Sequence, residues 1–209
     1  MNRIQKHYYR ARNPKGFWGM RVIKNMNGKR HAALPEWVFE NIKPSSDARV
    51  LDMGCGGGAN VARMVAMCPE GRVTGLDFSS LATEVATDLN YRAIKDGYCV
   101  IAGGNAMQLP LAREVFDMVT VFETIYYWAS LDIGLSEAFR VLKHGGTIIV
   151  ANELDGLSQE SNEVSRAVNI LRIYTSDEIE SCLDEAGFTD IKSIHDEQRH
   201  FICVTARKP

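Results

Sequence analysis

"VLDMGCGGGAN", Val50 to Asn60, runs from an apolar segment into four glycines, and the stretch from Ala59 to Cys68 that follows has helical spacing at Val61, Met64, Val65 and Cys68. A strand that turns through glycines into a helix is the opening unit of a doubly wound α/β sheet. Such a turn brings backbone N–H groups and the positive end of a helix close to a ligand. Glycine at Gly54 and Gly56 allows contact where a β-carbon would collide. Asp52, two residues before the first glycine, is expected to point to the mouth of the site, where it would repel a pyrophosphate and attract an ammonium or sulfonium.

Outward from this turn, strand and helix patterns alternate. GRVTGLDF reads as a second strand, followed by a long helix from about Ser79 to Lys95 and the strands YCVIAG and VFDMVTVF. A helix near Asp132 to Leu142 is stopped by His144, Gly145 and Gly146, and TIIVAN is the next strand. The strands are nearly continuous apolar runs, as expected where helices cover both faces of a parallel sheet. In the tail, Thr175 and Glu178 form a capping box for a helix that Gly187 ends. Two strands then follow, TDIKSIHD and HFICVTAR, with only Glu197 to Arg199 between them. A parallel crossover needs a dozen residues or more, so that pair is antiparallel. The expected fold is α/β: a doubly wound, seven-stranded, mainly parallel sheet with an antiparallel last strand. Residues 1–45, with a helix through PEWVFENI, form a helical arm or cap; residues 46–209 form the single globular unit. Residues 153–174 read as a further helix over the carboxyl edge.

Composition allows an ordinary globular chain: 209 residues, 45% apolar and 24% charged. The start, MNRIQKHYYR, lacks the apolar core of a signal peptide, and no apolar run approaches the roughly 20 residues that span a bilayer; a cytoplasmic protein without membrane partners is expected. Five scattered cysteines form neither a disulfide framework nor a zinc pattern. Cys55 in the loop has no base spaced to activate it, so it reads as a small turn-filling side chain. Residues 1–35 carry nine Lys and Arg (Arg3, Lys6, Arg10, Arg12, Lys15, Arg21, Lys24, Lys29, Arg30) and no acid; against a chain total of −2, the rest carries −11. Charge of this kind marks a nucleic-acid arm, a site for an anionic substrate, or a solvated arm on an acidic body. No RNA-binding motif accompanies it, which favours the last.

VLDMGCGGG resembles the first motif of the class I S-adenosylmethionine-dependent methyltransferases, in small bacterial forms of the methyltransferase 11/25 type. The resemblance implies that Asp52, Gly54 and Gly56 face the methionine part of S-adenosylmethionine, and that Asp77, ending GLDFS, meets the ribose hydroxyls. GGNAMQLP resembles the stretch that contacts adenine, with Asn105 where an Asp is usual, followed by Ala106 and Met107. Phe78 and Met107 flank the adenine ring or belong to the core. In VFETIYYWAS, Glu123 stands beside the cofactor, and Tyr126, Tyr127 and Trp128 line a substrate pocket, with at least one of the three packed under the next helix. Trp18 and Tyr174 join that pocket. Tyr8, Tyr9, Phe17, Trp18 and His31 are candidates to close over the cofactor.

The expected reaction is in-line methyl transfer to an unidentified small molecule, without a metal, leaving S-adenosylhomocysteine. His31, Glu123 and Tyr126 are the candidate bases, and spacing does not choose among them. Rival readings are an RNA or protein methyltransferase using the basic arm, a nicotinamide-dependent oxidoreductase, and a non-catalytic cofactor-binding partner. The chain is expected to be a monomer or homodimer.

Overall fold

The computed structural model describes residues 3–209, apart from the side chains of Arg3, Lys29 and Arg30. Three of the nine basic side chains noted above thus lie outside the described ones. The sheet has seven strands: β1 (Arg49–Met53), β2 (Arg72–Asp77), β3 (Cys99–Gly103), β4 (Phe116–Phe122), β5 (Leu142–Asn152), β6 (Thr189–Asp196) and β7 (Phe201–Arg207), in the spatial order β3-β2-β1-β4-β5-β7-β6. The first five pair in parallel, and β7 runs antiparallel to both β5 and β6. Strand order reverses between β1 and β4, which opens a crevice at their carboxyl ends.

Alternation along the strands sends side chains to two cores. Leu51, Met53, Val119, Val121, Ile148 and Val150 face one helical layer, whereas Val50, Met118, Ile149 and Ala151 face the other. Nine helices appear among the described residues: α1 (Arg3–Arg12), α2 (Gly16–Met26), α3 (Ala33–Asn41), α4 (Ala59–Met67), α5 (Ser80–Leu89), α6 (Tyr91–Lys95), α7 (Leu131–Val141), α8 (Gln159–Ala167) and α9 (Ser176–Glu185). Ser79, Ser130 and Ser158 cap α5, α7 and α8, and Thr175 with Glu178 completes the capping box of α9. None of these helices is long and apolar enough to cross a membrane.

Three elements differ from the sequence reading. The long helix after β2 breaks at Asn90, whose side-chain amide donates to the carbonyls of Gly58 (3.1 Å) and Ala86 (2.9 Å) and so trades helix continuity for a tie to the glycine loop. β5 starts at Leu142 and absorbs the two glycines, with Gly145 at φ 77° and a register shift against Phe116 and Met118. Only Gln159–Ala167 of the 153–174 segment is helical.

The N-terminal helices are joined to the core. Leu34, Val38 and Phe39 of α3 are buried in the cluster that contains Val50 and Ile149. α1 reaches α8 and the turn after it: the Gln5 amide donates to the Ala167 carbonyl at 2.8 Å, and the Tyr9 hydroxyl to Asn169 at 2.8 Å.

Candidate functional site

A cavity of about 1170 Å³ opens where the strand order reverses. Gly54, Cys55, Gly56 and Gly57 form one wall; Glu123, Tyr126, Tyr127 and Glu153, at the ends of β4 and β5, form another. Tyr8, Met26, Asn27 and His31 from the N-terminal segment and Glu160 and Glu163 of α8 close it above.

The loop glycines serve different purposes. Gly54 (φ 82°) has no room for a side chain, because a β-carbon there would lie 2.3 Å from Thr124 Oγ1. Gly57 is equally tight: its β-carbon would meet the Asn27 amide at 2.4 Å, and that amide donates to the Gly57 carbonyl at 2.8 Å. Gly56 (φ 53°) is open, with only Met26 Cε at 4.0 Å, so among these three it is the position where a β-carbon would enter free cavity space. Its N–H donates to Asp77 Oδ2 at 2.9 Å, while Asp77 Oδ1 accepts from Ser79 N at 2.8 Å. Asp77 therefore anchors the loop, and each of its oxygens keeps a lone pair for another donor. Burial pushes its carboxyl above the ordinary range.

Asp52 is not at the mouth. It is 2% exposed and is absent from the cavity wall. It lies one residue before the end of β1, on the same side as Val50, beneath α4, where the Thr120 hydroxyl donates to it at 2.8 Å. Desolvation, opposed by that hydrogen bond and helped by Asp77, pushes its pKa up to about 7. The electrostatic contrast drawn from the sequence, an exposed carboxylate screening ligands by charge, does not hold in that form. Strand alternation fixed its face, and the covering helix removed it from solvent. Cys55 is likewise held as a thiol, well above its ordinary range, by burial and by Asp52 and Asp77.

Three of the predicted side chains converge on the other wall. Glu123 takes up φ 58°, an unfavourable conformation for a non-glycine residue, as the chain leaves β4 for the cavity wall. Its Oε1 accepts the Tyr126 hydroxyl (3.0 Å) and the Glu153 N–H. The Leu154 N–H donates to the Tyr126 hydroxyl oxygen at 3.0 Å. His31 Nδ1 lies 3.4 Å from Glu153 Oε1. Burial and the facing Glu153 raise the Glu123 carboxyl well above the ordinary carboxylate range. Burial and Glu123 also hold the Tyr126 and Tyr127 phenols up, so both are proton donors at neutral pH and not bases. Glu153 and Asn27 have no assigned place in the sequence reading of this wall and cap; the one available signal for Glu153 is its place directly after β5.

Other predicted residues lie elsewhere. Phe78 (69% exposed), Asn105, Ala106 and Met107 sit at the ends of β2 and β3, outside the enclosed cavity, and exposure removes the core reading for Phe78. Asn105 Oδ1 accepts from Met107 N at 3.0 Å, which shapes that turn. Three aromatic residues assigned to the substrate pocket do not line it. Trp18 is 54% exposed on α2, under the Arg10 guanidinium at 4.9 Å and edge-on to Phe17. Tyr174 is 3% exposed within the core, with Arg172 over its ring. Trp128 packs on α7, where a β-carbon on Gly134 would come within 2.3 Å of its ring. Phe17 and Tyr9 are also exposed, whereas Tyr8 and His31 face the cavity. Among the described residues, no three His, Cys, Asp or Glu side chains gather so as to hold a metal ion.

A family profile described as "Methyltransferase domain" matches residues 51–150. The chain is 29% identical over 184 residues to malonyl-[acyl-carrier protein] O-methyltransferase of Geobacter sulfurreducens, covering 80% of this chain and 68% of that one. It is 31% identical over 145 residues to 27-O-demethylrifamycin SV methyltransferase of Amycolatopsis mediterranei, covering 66% of this chain and 53% of that one. The chain thus spans between about half and two thirds of these relatives' lengths. A solved structure, a SAM-dependent methyltransferase from Aquifex aeolicus, superposes with a TM-score of 0.73 at 18% identity, over 90% of this chain and 97% of that one, a likeness of fold.

Proposed function

Because this chain belongs to the class I S-adenosylmethionine-dependent methyltransferases, we propose that it transfers the methyl group of that cofactor to a small molecule bound in the 1170 Å³ cavity. The observation that carries this reading is Gly56: its open β-carbon position faces the cavity while its N–H is tied to Asp77. The loop therefore offers backbone to a ligand inside and, through Asp77, carboxylate oxygens to a vicinal diol. Asp77, Phe78, Asn105, Ala106 and Met107 would hold the adenosine, and Gly54, Gly56 and Glu123 the methionine part; Asp52 would act from beneath the loop through its field and not by contact. When bound, the cofactor supplies an electrophilic methyl on a cationic sulfur.

The residues of the chain then have three tasks. Tyr126 and Tyr127, with Leu154, position the acceptor and shed water; the N-terminal cap closes the cavity; and His31, paired with Glu153, is the group best placed to accept a proton. Since the methyl is already activated, holding acceptor and methyl at roughly 3 to 3.5 Å in line supplies most of the rate. Neither step asks for a metal. The acceptor is a free small molecule, and residues 1–45 act as the cap of a unit formed by residues 46–209. Calorimetric titration tests the reading. S-adenosylhomocysteine should bind saturably and NADH should not, and Gly56→Asn, which tolerates a left-handed backbone but fills the opening, should cut that affinity at least about tenfold without unfolding. Binding of NADH in place of S-adenosylhomocysteine would refute it.

A further inference from the structure

The cavity wall opposite the glycine loop is rich in carboxylates and phenol rings and poor in free cations. Glu123 and Glu153 stand on neighbouring strand ends, and Glu160 and Glu163 face them from α8. Among the described lining residues there is no Lys, and the one Arg, Arg199, is held by Asp196 at 2.5 Å and lies over the Phe201 ring. The partners of the Glu123 carboxylate are a hydroxyl and a backbone N–H, both neutral. Glu160 and Glu163 are exposed, whereas Glu123 and Glu153 are half-buried, and carboxylates withdrawn from water favour a cation that replaces their lost hydration. Aromatic rings such as Tyr8, Tyr126 and Tyr127 attract an ammonium through their faces. A bound cofactor's own charge would answer one of these carboxylates and leave the others.

We infer that the methyl acceptor is an amine, held as its ammonium by Glu153, with Glu123 left to the cofactor's own cation. The inference rests on the function proposed above and names the substrate class of that same site. An ammonium has no lone pair, so it must lose a proton before it can attack. His31 Nδ1 lies 3.4 Å from Glu153 Oε1, and a neutral imidazole that donates from Nδ1 offers its Nε2 lone pair to a proton. The ammonium proton passes to Nε2, and the imidazolium so formed is stabilised by Glu153. The freed nitrogen pair forms the N–C bond as the C–S bond breaks with its electrons left on sulfur, giving a methylated ammonium and a thioether.

The test loads the full chain with S-adenosylhomocysteine and titrates it with phenethylamine, hexylamine and putrescine, each beside its alcohol (phenethyl alcohol, hexanol, butanediol). At least one amine should bind at least about tenfold more tightly than its alcohol, and Glu153→Gln should lower that binding at least about tenfold while S-adenosylhomocysteine affinity stays within about twofold. Amines that bind no better than their alcohols, or an amine affinity untouched by Glu153→Gln, overturn the inference. If S-adenosylhomocysteine itself does not bind, the proposed function fails as well; if it binds and no amine is preferred, only the amine assignment falls.

Discussion

The loop after β1 and the helical cap above it face the same cavity, yet different contacts hold them. The loop is pinned sterically, by atoms pressed against its backbone: Thr124 against Gly54, Asn27 against Gly57, and Asp77 on the Gly56 N–H. The cap is held by polar side-chain contacts that leave its outer face free of the cavity, such as Gln5 with Ala167, Tyr9 with Asn169 and His31 with Glu153. The loop should therefore tolerate almost no change of shape, whereas the cap can vary at its outer face.

The largest expected effect tests the rigidity of the loop. Gly54→Val combines a strained backbone with a collision against Thr124 and should cost about 3 to 5 kcal/mol, read as a fall in the urea midpoint. A variant of wild-type stability would break the comparison. An intermediate effect concerns Asp52, whose folded pKa of about 7 stands above its unfolded value near 3.8. A raised acid favours the folded state fully at low pH, and that advantage is lost as pH rises from about 4 through 7. Asp52→Asn should accordingly stabilise the ligand-free protein by roughly 2 to 4 kcal/mol at pH 8 and by almost nothing near pH 4. Destabilisation at pH 8 would show that the buried Asp52 charge is already compensated in the folded protein. The smallest effect belongs to the outer face of the cap. Trp18→Ala should change stability by less than about 0.5 kcal/mol and leave S-adenosylhomocysteine binding intact, since Trp18 lies outside the cavity. A loss of cofactor affinity in that variant would place the cap's outer face in the site after all.

Much of the loop half was readable before the structure. The alternation of strands and helices, the antiparallel final pair, the capping box at Thr175 and the place of Asp77 at the end of β2 all follow from local pattern and spacing. His31, Tyr126 and Glu123 were also singled out, and all three face the cavity. Trp18, Trp128 and Tyr174 were drawn to it by aromatic character alone, which does not distinguish solvent, a helix face and the core as a destination. Glu153 was passed over because one acid after a strand is unremarkable until His31, 122 positions earlier, is folded against it.

By itself, the sequence determined the order of elements, the sharp glycine turn and the alternation that puts Asp52 and Val50 on one face of β1, because these depend on bonds and contacts within a few residues. Only the tertiary structure decided which face was sealed by α4, which of the loop glycines opens onto free space, and which acids and rings share a wall. Those outcomes depend on how segments far apart in the chain exclude water from one another, and no local pattern records that.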